Sequence, residues 1–209
     1  MLVTEIKKID SKKSLIYLDY EPAFSIYRSE IRRYEIGIEK ELTSEKYDEI
    51  LAMLLKRCRE RTAYILGKSD KSEHELKTKL RQGFYPDSII NKVVNEYTMM
   101  GYVNDYRYAS NYIKYHFSSK SKNRIMSSLL YKGIDKELIN DIMNEYESEN
   151  EDFKNKQDKM IEKEFIKKKY DFESDDKELL HKIIASLCRK GFRYDDVKNV
   201  YHRLKDKCD

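Results

Sequence analysis

The sequence predicts a mainly α-helical chain: three tandem three-helix repeats behind a small N-terminal β-hairpin or meander. Three observations predict it. One segment occurs three times, as Leu76-Lys-Thr-Lys-Leu80-Arg-Gln-Gly83-Phe84, Ile125-Met-Ser-Ser-Leu129-Leu130-Tyr-Lys-Gly133-Ile134 and Ile183-Ile-Ala-Ser-Leu187-Cys188-Arg-Lys-Gly191-Phe192. Each copy is amphipathic at helical spacing, with a basic residue close before its glycine and an apolar residue straight after it. A second amphipathic run follows, with Ile89, Ile139 and Val197 six residues past the glycines and Val93, Met143 and Tyr201 ten past. Lastly, 209 residues contain only 6 Gly and 2 Pro against 38% charged residues, a composition of slender helices joined by few turns. The glycines lie 50 and 58 residues apart, and repeats at such periods form stacked helical units.

Taken in order, residues 1–42 form a β-rich extension. Val3 to Ile9 alternates, Ser14 to Asp19 follows a Lys-rich turn, and Ala23 to Tyr27 follows Glu21-Pro22. So small a sheet must pack on a helix to be stable. Ser29 to Ile36 reads as a short helix closed near Gly37. The first repeat spans 43–103. Its long helix carries Tyr47, Ile50, Leu51, Leu54, Leu55, Cys58, Thr62 and Ile65 on one stripe, with Thr43 or Ser44 as cap and Gly67 at its end. Ser72-Glu-His-Glu75 is a capping box for the next helix, which is expected to end with Gly83 in the left-handed position; Pro86 opens the third. The second repeat, 104–150, starts at Asn104 or Asp105, has a polar loop over Ser118 to Lys122, and ends with a helix from Lys136 to Glu147. The third, 151–209, follows a charged stretch at 147–160 that reads as a linker or an exposed helix start. It has Met160 to Tyr170, a capping box at Asp175-Asp-Lys-Glu178, and a last helix from Asp195 to Leu204.

The net charge is +4, but its distribution is uneven. Residues 56–82 carry nine basic and four acidic residues, 105–133 six and one, and 135–152 one and eight. Basic helices thus alternate with an acidic block, as a stripe facing a polyanion or an acidic protein would require. The cysteines, Cys58, Cys188 and Cys208, form no CxxC pair and point to a reducing compartment. Cys188, at the repeat position of Leu80 and Leu130, reads as a small core residue. No run approaches a membrane span and the N-terminus is charged at once, so the chain reads as cytoplasmic. GxxxxGK[ST], GxGxxG and HExxH are all absent. His74, His116, His181 and His202 lack metal-ligand spacing. Neither a catalytic site, a metal nor a cofactor is expected.

The candidate binding residues are basic. They are Lys68, Lys71, Lys77, Lys79 and Arg81 in the first repeat, Lys120, Lys122, Arg124 and Lys132 in the second, and Lys182, Arg189 and Lys190 in the third. Favourable interaction with helix C-termini accounts for Arg81, Lys132, Arg189 and Lys190. It does not account for Lys68, Lys71, Lys120, Lys122 or Arg124, which precede or open a repeat helix, where a phosphate or carboxylate is well received. Nearby aromatic residues (Tyr85, Tyr112, Tyr115, Phe117 and Tyr131) read as core.

Ala63-Tyr-Ile-Leu66, Ser72-Glu-x-Glu-Leu76-x-x-Lys-Leu80, Gly83-Phe84, Gly101-Tyr-Val-Asn-Asp105-Tyr-Arg-Tyr-Ala109 and Leu130-Tyr-Lys-Gly-Ile134 together resemble the signature of the RecX regulatory proteins. Ile16-Tyr-Leu-Asp19 and Ala23-Phe24 resemble the β-rich extension of part of that family. Two places depart from its pattern: Lys68 and Lys71 stand where arginines are common, and Ser118 to Lys122 lacks the usual glycine. The resemblance implies three tandem three-helix units in a curved, elongated rod. It also implies a monomeric modulator, most often an inhibitor, of the RecA recombinase. Such a protein binds the RecA–single-stranded DNA filament and acts on strand exchange, ATPase and co-protease activity in recombination and the SOS response. Lys71, Lys77, Lys122, Arg124 and Arg189 are the contacts expected to matter most, with DNA itself a weaker, electrostatic partner. The alternative is a direct, sequence-nonspecific DNA-binding protein whose repeats act as helix-turn-helix modules.

Overall fold

The computed structural model describes residues 1–150, 152–174 and 176–207. Its strands are β1 (Val3–Lys8), β2 (Lys13–Leu18) and β3 (Glu21–Tyr27). The helices are α1 (Arg28–Arg33), α2 (Ser44–Leu66), α3 (Glu73–Arg81), α4 (Asp87–Met99), α5 (Asp105–His116), α6 (Lys122–Tyr131), α7 (Lys136–Glu149), α8 (Asp152–Lys167), α9 (Lys177–Arg189) and α10 (Tyr194–Lys205). The expected class, mainly helical with an N-terminal meander, is what forms. Contacts divide the chain into two compact units, Met1–Asn104 and Asp105–Asp209.

In the first unit β1, β2 and β3 pair antiparallel in that order. Asp19 and Tyr20 both have positive φ, the two-residue turn whose twist suits a hairpin. Both sheet edges are covered. The amide of Val3 donates to the Lys40 carbonyl at 3.0 Å on one side, and that of Ser25 to the Phe84 carbonyl at 3.1 Å on the other. Covered edges remove a template for aggregation. Val3, Ile16, Phe24 and Ile26 share one apolar core with Ile50, Leu54 and Cys58 of α2, Leu76 and Leu80 of α3, and Ile90, Val93 and Val94 of α4. Each such fully buried side chain contributes roughly 1.5–3 kcal/mol. Burial pushes the Cys58 thiol up to about 11.

The second unit holds two apolar clusters. Ala109, Ile113, Ile125, Leu129, Ile139 and Met143 join α5, α6 and α7. Ile161, Phe165, Ile183, Leu187 and Val197 join α8, α9 and α10. The stretch at 147–160 belongs mainly to helices α7 and α8, not to a long linker. Polar contacts bind the two clusters together. Ser121 Oγ donates to the Lys190 carbonyl at 2.7 Å, and Gln157 Nε2 to the carbonyls of Phe117 and Lys120 at 2.9 and 3.1 Å.

Caps follow the sequence closely. Ser72 Oγ accepts the Glu75 amide, and the Glu75 carboxylate accepts the Ser72 amide. Ser121 caps α6 through the Arg124 amide. Asp175 lies outside the described residues; the cap of α9 is Asp176, which accepts the Leu179 amide at 2.9 Å.

The register of the repeat differs from the glycine spacing. Aligned on buried residues, Leu76 and Leu80 match Ile125 and Leu129, 49 residues on, and these match Ile183 and Leu187, 58 further. The third helices follow the same offsets: Ile90, Val93 and Val94 match Ile139, Ile142 and Met143. The left-handed turn is Gly133 (φ +76°) and Gly191 (φ +86°), but in the first repeat it is Phe84 (φ +56°), one residue after Gly83. A left-handed phenylalanine costs about 1–2 kcal/mol. It is held there because β3 grips both turn carbonyls: Ser25 Oγ donates to Gly83 at 2.9 Å and the Ser25 amide to Phe84. Glycine stands at 83 because a Cβ there would lie 2.9 Å from the Tyr85 ring. The same shift displaces Cys188: it follows the buried Leu187 and is exposed, not core.

Two predictions follow from this packing. A Cβ at Gly191 would lie 2.7 Å from Ser121 Oγ, whereas one at Gly101, also at positive φ, would meet open space. Gly191→Ala is therefore expected to cost about 1–3 kcal/mol more than Gly101→Ala in urea denaturation; equal losses would show that the turn does not hold the joint. The second concerns Glu30, which accepts Arg57 Nη2 at 2.6 Å and the Tyr27 amide at 2.8 Å. Burial acts to raise its pKa, but these bonds and the Arg57 charge outweigh it and hold the carboxyl below its ordinary 4.5. Its stabilisation is present above pH 4.5 and is lost as pH falls through the lower folded value. The stability difference between the native protein and Glu30→Gln should accordingly shrink on acidification below that point; a difference independent of pH would refute the pairing.

Candidate polyanion-binding grooves

The last turns of α2, the loop 67–71 and the C-terminal part of α3 enclose a groove of about 400 Å³ lined by Arg61, Tyr64, Lys68, Lys71, Lys79 and Gln82, among others. It holds four cations and no carboxylate. Tyr64 is half exposed, with Lys68 Nζ 4.4 Å and Arg61 Cζ 5.3 Å from its ring centre. A hydrogen bond with Lys68, then the charges of Lys68 and Arg61, pull the Tyr64 hydroxyl below its ordinary range.

The second unit builds a matching groove of about 370 Å³ between α5 and α6, lined by Tyr112, Arg124, Ser127, Ser128, Tyr131 and Lys132. Ser128, Tyr131 and Lys132 stand 49 residues after Lys79, Gln82 and Gly83. Tyr64 and Tyr112 each precede the last buried residue of the first helix, Ile65 and Ile113. Lys120 Nζ donates to the Tyr112 hydroxyl at 2.9 Å and lies 5.0 Å from its ring centre. Burial acts to raise the Tyr112 pKa, yet hydrogen bonds with Lys120 and Ser128 and the charges of Lys120 and Lys132 bring it down. Burial first, then the same two lysines, also lower His116. Both effects report a local positive potential.

Adjoining it, and sharing Arg124, is a groove of about 300 Å³ lined by Ser119, Lys120, Ser121, Met160, Arg189, Lys190 and Phe192. It too has no carboxylate in its wall. In the third repeat the position of Tyr64 and Tyr112 is taken by Glu164, just before the buried Phe165. Glu164 binds Lys190, the counterpart of Lys132, at 2.6 Å. That bond holds the Glu164 carboxyl low, and the ion pair occupies the site that the other two repeats leave cationic.

The twelve sequence candidates thus separate. Lys68, Lys71 and Lys79 meet in the first groove; Lys120, Arg124, Lys132, Arg189 and Lys190 line the other two. Lys77 pairs with Glu73, Arg81 with Asp87, Lys122 with Glu147 and Lys182 with Glu178, all outside the groove walls. Arg61 and Tyr64 were not among the binding residues expected from the sequence. Their signal is the spacing Arg61-x-x-Tyr64-x-x-x-Lys68, which sets all three on one side of a helix end. Tyr115 and Tyr131, read as core, are 80% and 90% exposed. Tyr85, Tyr112 and Phe117 are partly buried against the cores, as expected.

Among the described residues no group of three or more His, Cys, Asp or Glu could hold a metal ion, and no helix is long and apolar enough to cross a membrane. Helices grouped in threes around separate apolar clusters define a helical-repeat protein. A family model described as RecX, second three-helix domain, matches residues 104–143. The chain is 27% identical to a Regulatory protein RecX of Clostridium beijerinckii, over 98% of this chain and 95% of that one. It is 28% identical to the protein of that name from Clostridioides difficile, over 97% and 95%. In fold it matches a crystal structure of regulatory protein RecX with a TM-score of 0.63 at 20% identity, covering 98% of each chain. RecX from Lactobacillus salivarius gives 0.62 at 22% identity, covering 73% of this chain and 97% of that one. The chain is thus similar over nearly its whole length to proteins named Regulatory protein RecX, and its residues 104–143 match the second three-helix domain of that family.

The sorting of the cations has a direct test. Arg61, Lys68, Arg124 and Arg189 reversed together to Glu should flatten the salt dependence of binding to a single-stranded oligonucleotide, used as a generic polyanion. The expected change is roughly 0.7 in log–log slope for each phosphate contact removed. Reversal of Lys77 and Lys182, both held in ion pairs, should change it little. Equal effects of the two sets would dissolve the distinction.

Proposed function

We propose that this protein regulates the RecA recombinase by binding the RecA–single-stranded DNA filament, and that it lowers the filament's ATPase, strand-exchange and co-protease activity. The observation that carries this reading is the cation-lined groove present in each compact unit, with an aromatic ring and no carboxylate in its wall. A filament is a periodic polyanion, and subsites carried by tandem repeats suit a periodic partner. Individually weak contacts then add through effective concentration. The resemblance to RecX regulatory proteins is what suggests the recombinase as partner. The protein acts as a monomer in the cytoplasm, where that filament forms, and uses no cofactor.

The test is RecA-catalysed, single-stranded-DNA-dependent ATP hydrolysis titrated with this protein at fixed salt, beside its binding to the same DNA without RecA. Hydrolysis should fall at protein concentrations well below those that cover bare DNA. The quadruple groove reversal should raise the concentration needed by at least tenfold, about 1.4 kcal/mol. Steady hydrolysis, or a fall only once the DNA is saturated, would replace this reading with a direct DNA-binding protein that competes for substrate.

A further inference from the structure

We propose that the adjoining grooves of the second unit form a single-stranded nucleic-acid subsite, with one unpaired base stacked on Tyr131 and the flanking phosphates on Arg124 and Lys132. This rests on the reading of the grooves as polyanion sites and adds what the polyanion is. Tyr131 is in the last turn of α6 and is 90% exposed, so its ring does no packing in the fold. It lines the groove that contains Arg124 and Lys132. The groove tyrosines Tyr64 and Tyr112 carry a lysine over the ring, at 4.4 and 5.0 Å. Among the described contacts, neither a cation nor another ring covers Tyr131. Its face is therefore available to a flat partner, and bases stack on exposed aromatic rings beside cations whatever their identity.

Charge alone would serve a duplex, an acidic protein or a single strand. The uncovered ring separates them. A duplex keeps its bases stacked inside, and an acidic side chain has no flat face to offer; an unpaired base has one. Arg124 belongs to both grooves, so a strand whose base lies on Tyr131 continues past it toward Arg189. A planar guanidinium at that junction suits a phosphodiester, which it binds bidentately. The first unit has Gln82 at the position of Tyr131, so the stacking element belongs to the second unit.

The test uses the full chain without RecA and an oligothymidylate carrying one 2-aminopurine, with the same sequence as a duplex and poly-glutamate as comparison ligands. Tyr131→Ala should weaken single-strand binding about 5- to 100-fold and abolish 2-aminopurine quenching, with an unchanged salt slope and unchanged duplex affinity. Tyr131→Phe should retain affinity. Arg124→Ala should lower the slope by roughly 0.7. Urea midpoints should match throughout, because Tyr131 packs against nothing. Native single-strand affinity in Tyr131→Ala would overturn the proposal. So would an equal loss for strand and duplex, or binding of poly-glutamate with the same dependence on Tyr131. Intact inhibition of RecA hydrolysis alongside such a result would leave the filament reading standing. Loss of RecA inhibition with intact Tyr131-dependent binding would remove the filament reading alone.

Discussion

The left-handed turn after the second helix of each repeat is the constraint on which the rest depends. It reverses the chain within a few residues and delivers an apolar side chain back into the bundle. In the second and third repeats the turn closes in the same way. The amides of Ile134 and Phe192 reach back to the carbonyls of Leu129 and Leu187, both at 3.1 Å, and Ile134 and Phe192 are buried. That bond satisfies a helix-end carbonyl and sets the angle between two helices. In the first repeat, strand β3 takes part: Ser25 binds both carbonyls of the turn, which lets a phenylalanine occupy a conformation otherwise suited to glycine. The N-terminal sheet is thus a built-in part of the first bundle's turn.

The same turn places the candidate chemistry. Gly83, Lys132 and Lys190 stand just before it, where the end of the second helix faces the end of the first. Whether a groove there is open to an anion depends on the facing residue. A tyrosine at 64 or 112 supports a lysine through its ring and hydroxyl without cancelling its charge. A glutamate at 164 cancels it. One position in a common scaffold therefore separates two cationic grooves from an ion pair. Exposed pairs such as Lys182–Glu178 add at most a few tenths of a kcal/mol to the fold. Their effect is to leave the net positive field on the groove residues.

Much of the fold was legible in the residues themselves. Ser72 and Thr43 were readable as caps because a short hydroxyl side chain before an amphipathic run does that work locally. The period-2 runs at the N-terminus were readable as strands for a similarly local reason. The register of the first repeat was not. Gly83 is the obvious turn residue, but what decides the left-handed position is where Leu80 is buried and where β3 grips the turn, both long-range facts. The one-residue slip also misplaced Cys188, whose neighbour Leu187 faces the core.

Amphipathic spacing, caps and glycine punctuation determined by themselves that the chain is helical, that it repeats, and that its repeats carry clusters of positive charge. These are properties of neighbours along the chain, within reach of a single helical turn. Only the tertiary structure decided which cations are free. Lys77, Lys122 and Lys182 look equal to Lys68 and Arg124 in sequence, yet each finds a carboxylate four to twenty-five residues away. It likewise decided that Tyr112 is a half-buried support and Tyr131 a bare ring, because exposure depends on what another helix covers, and a list of residues does not contain that.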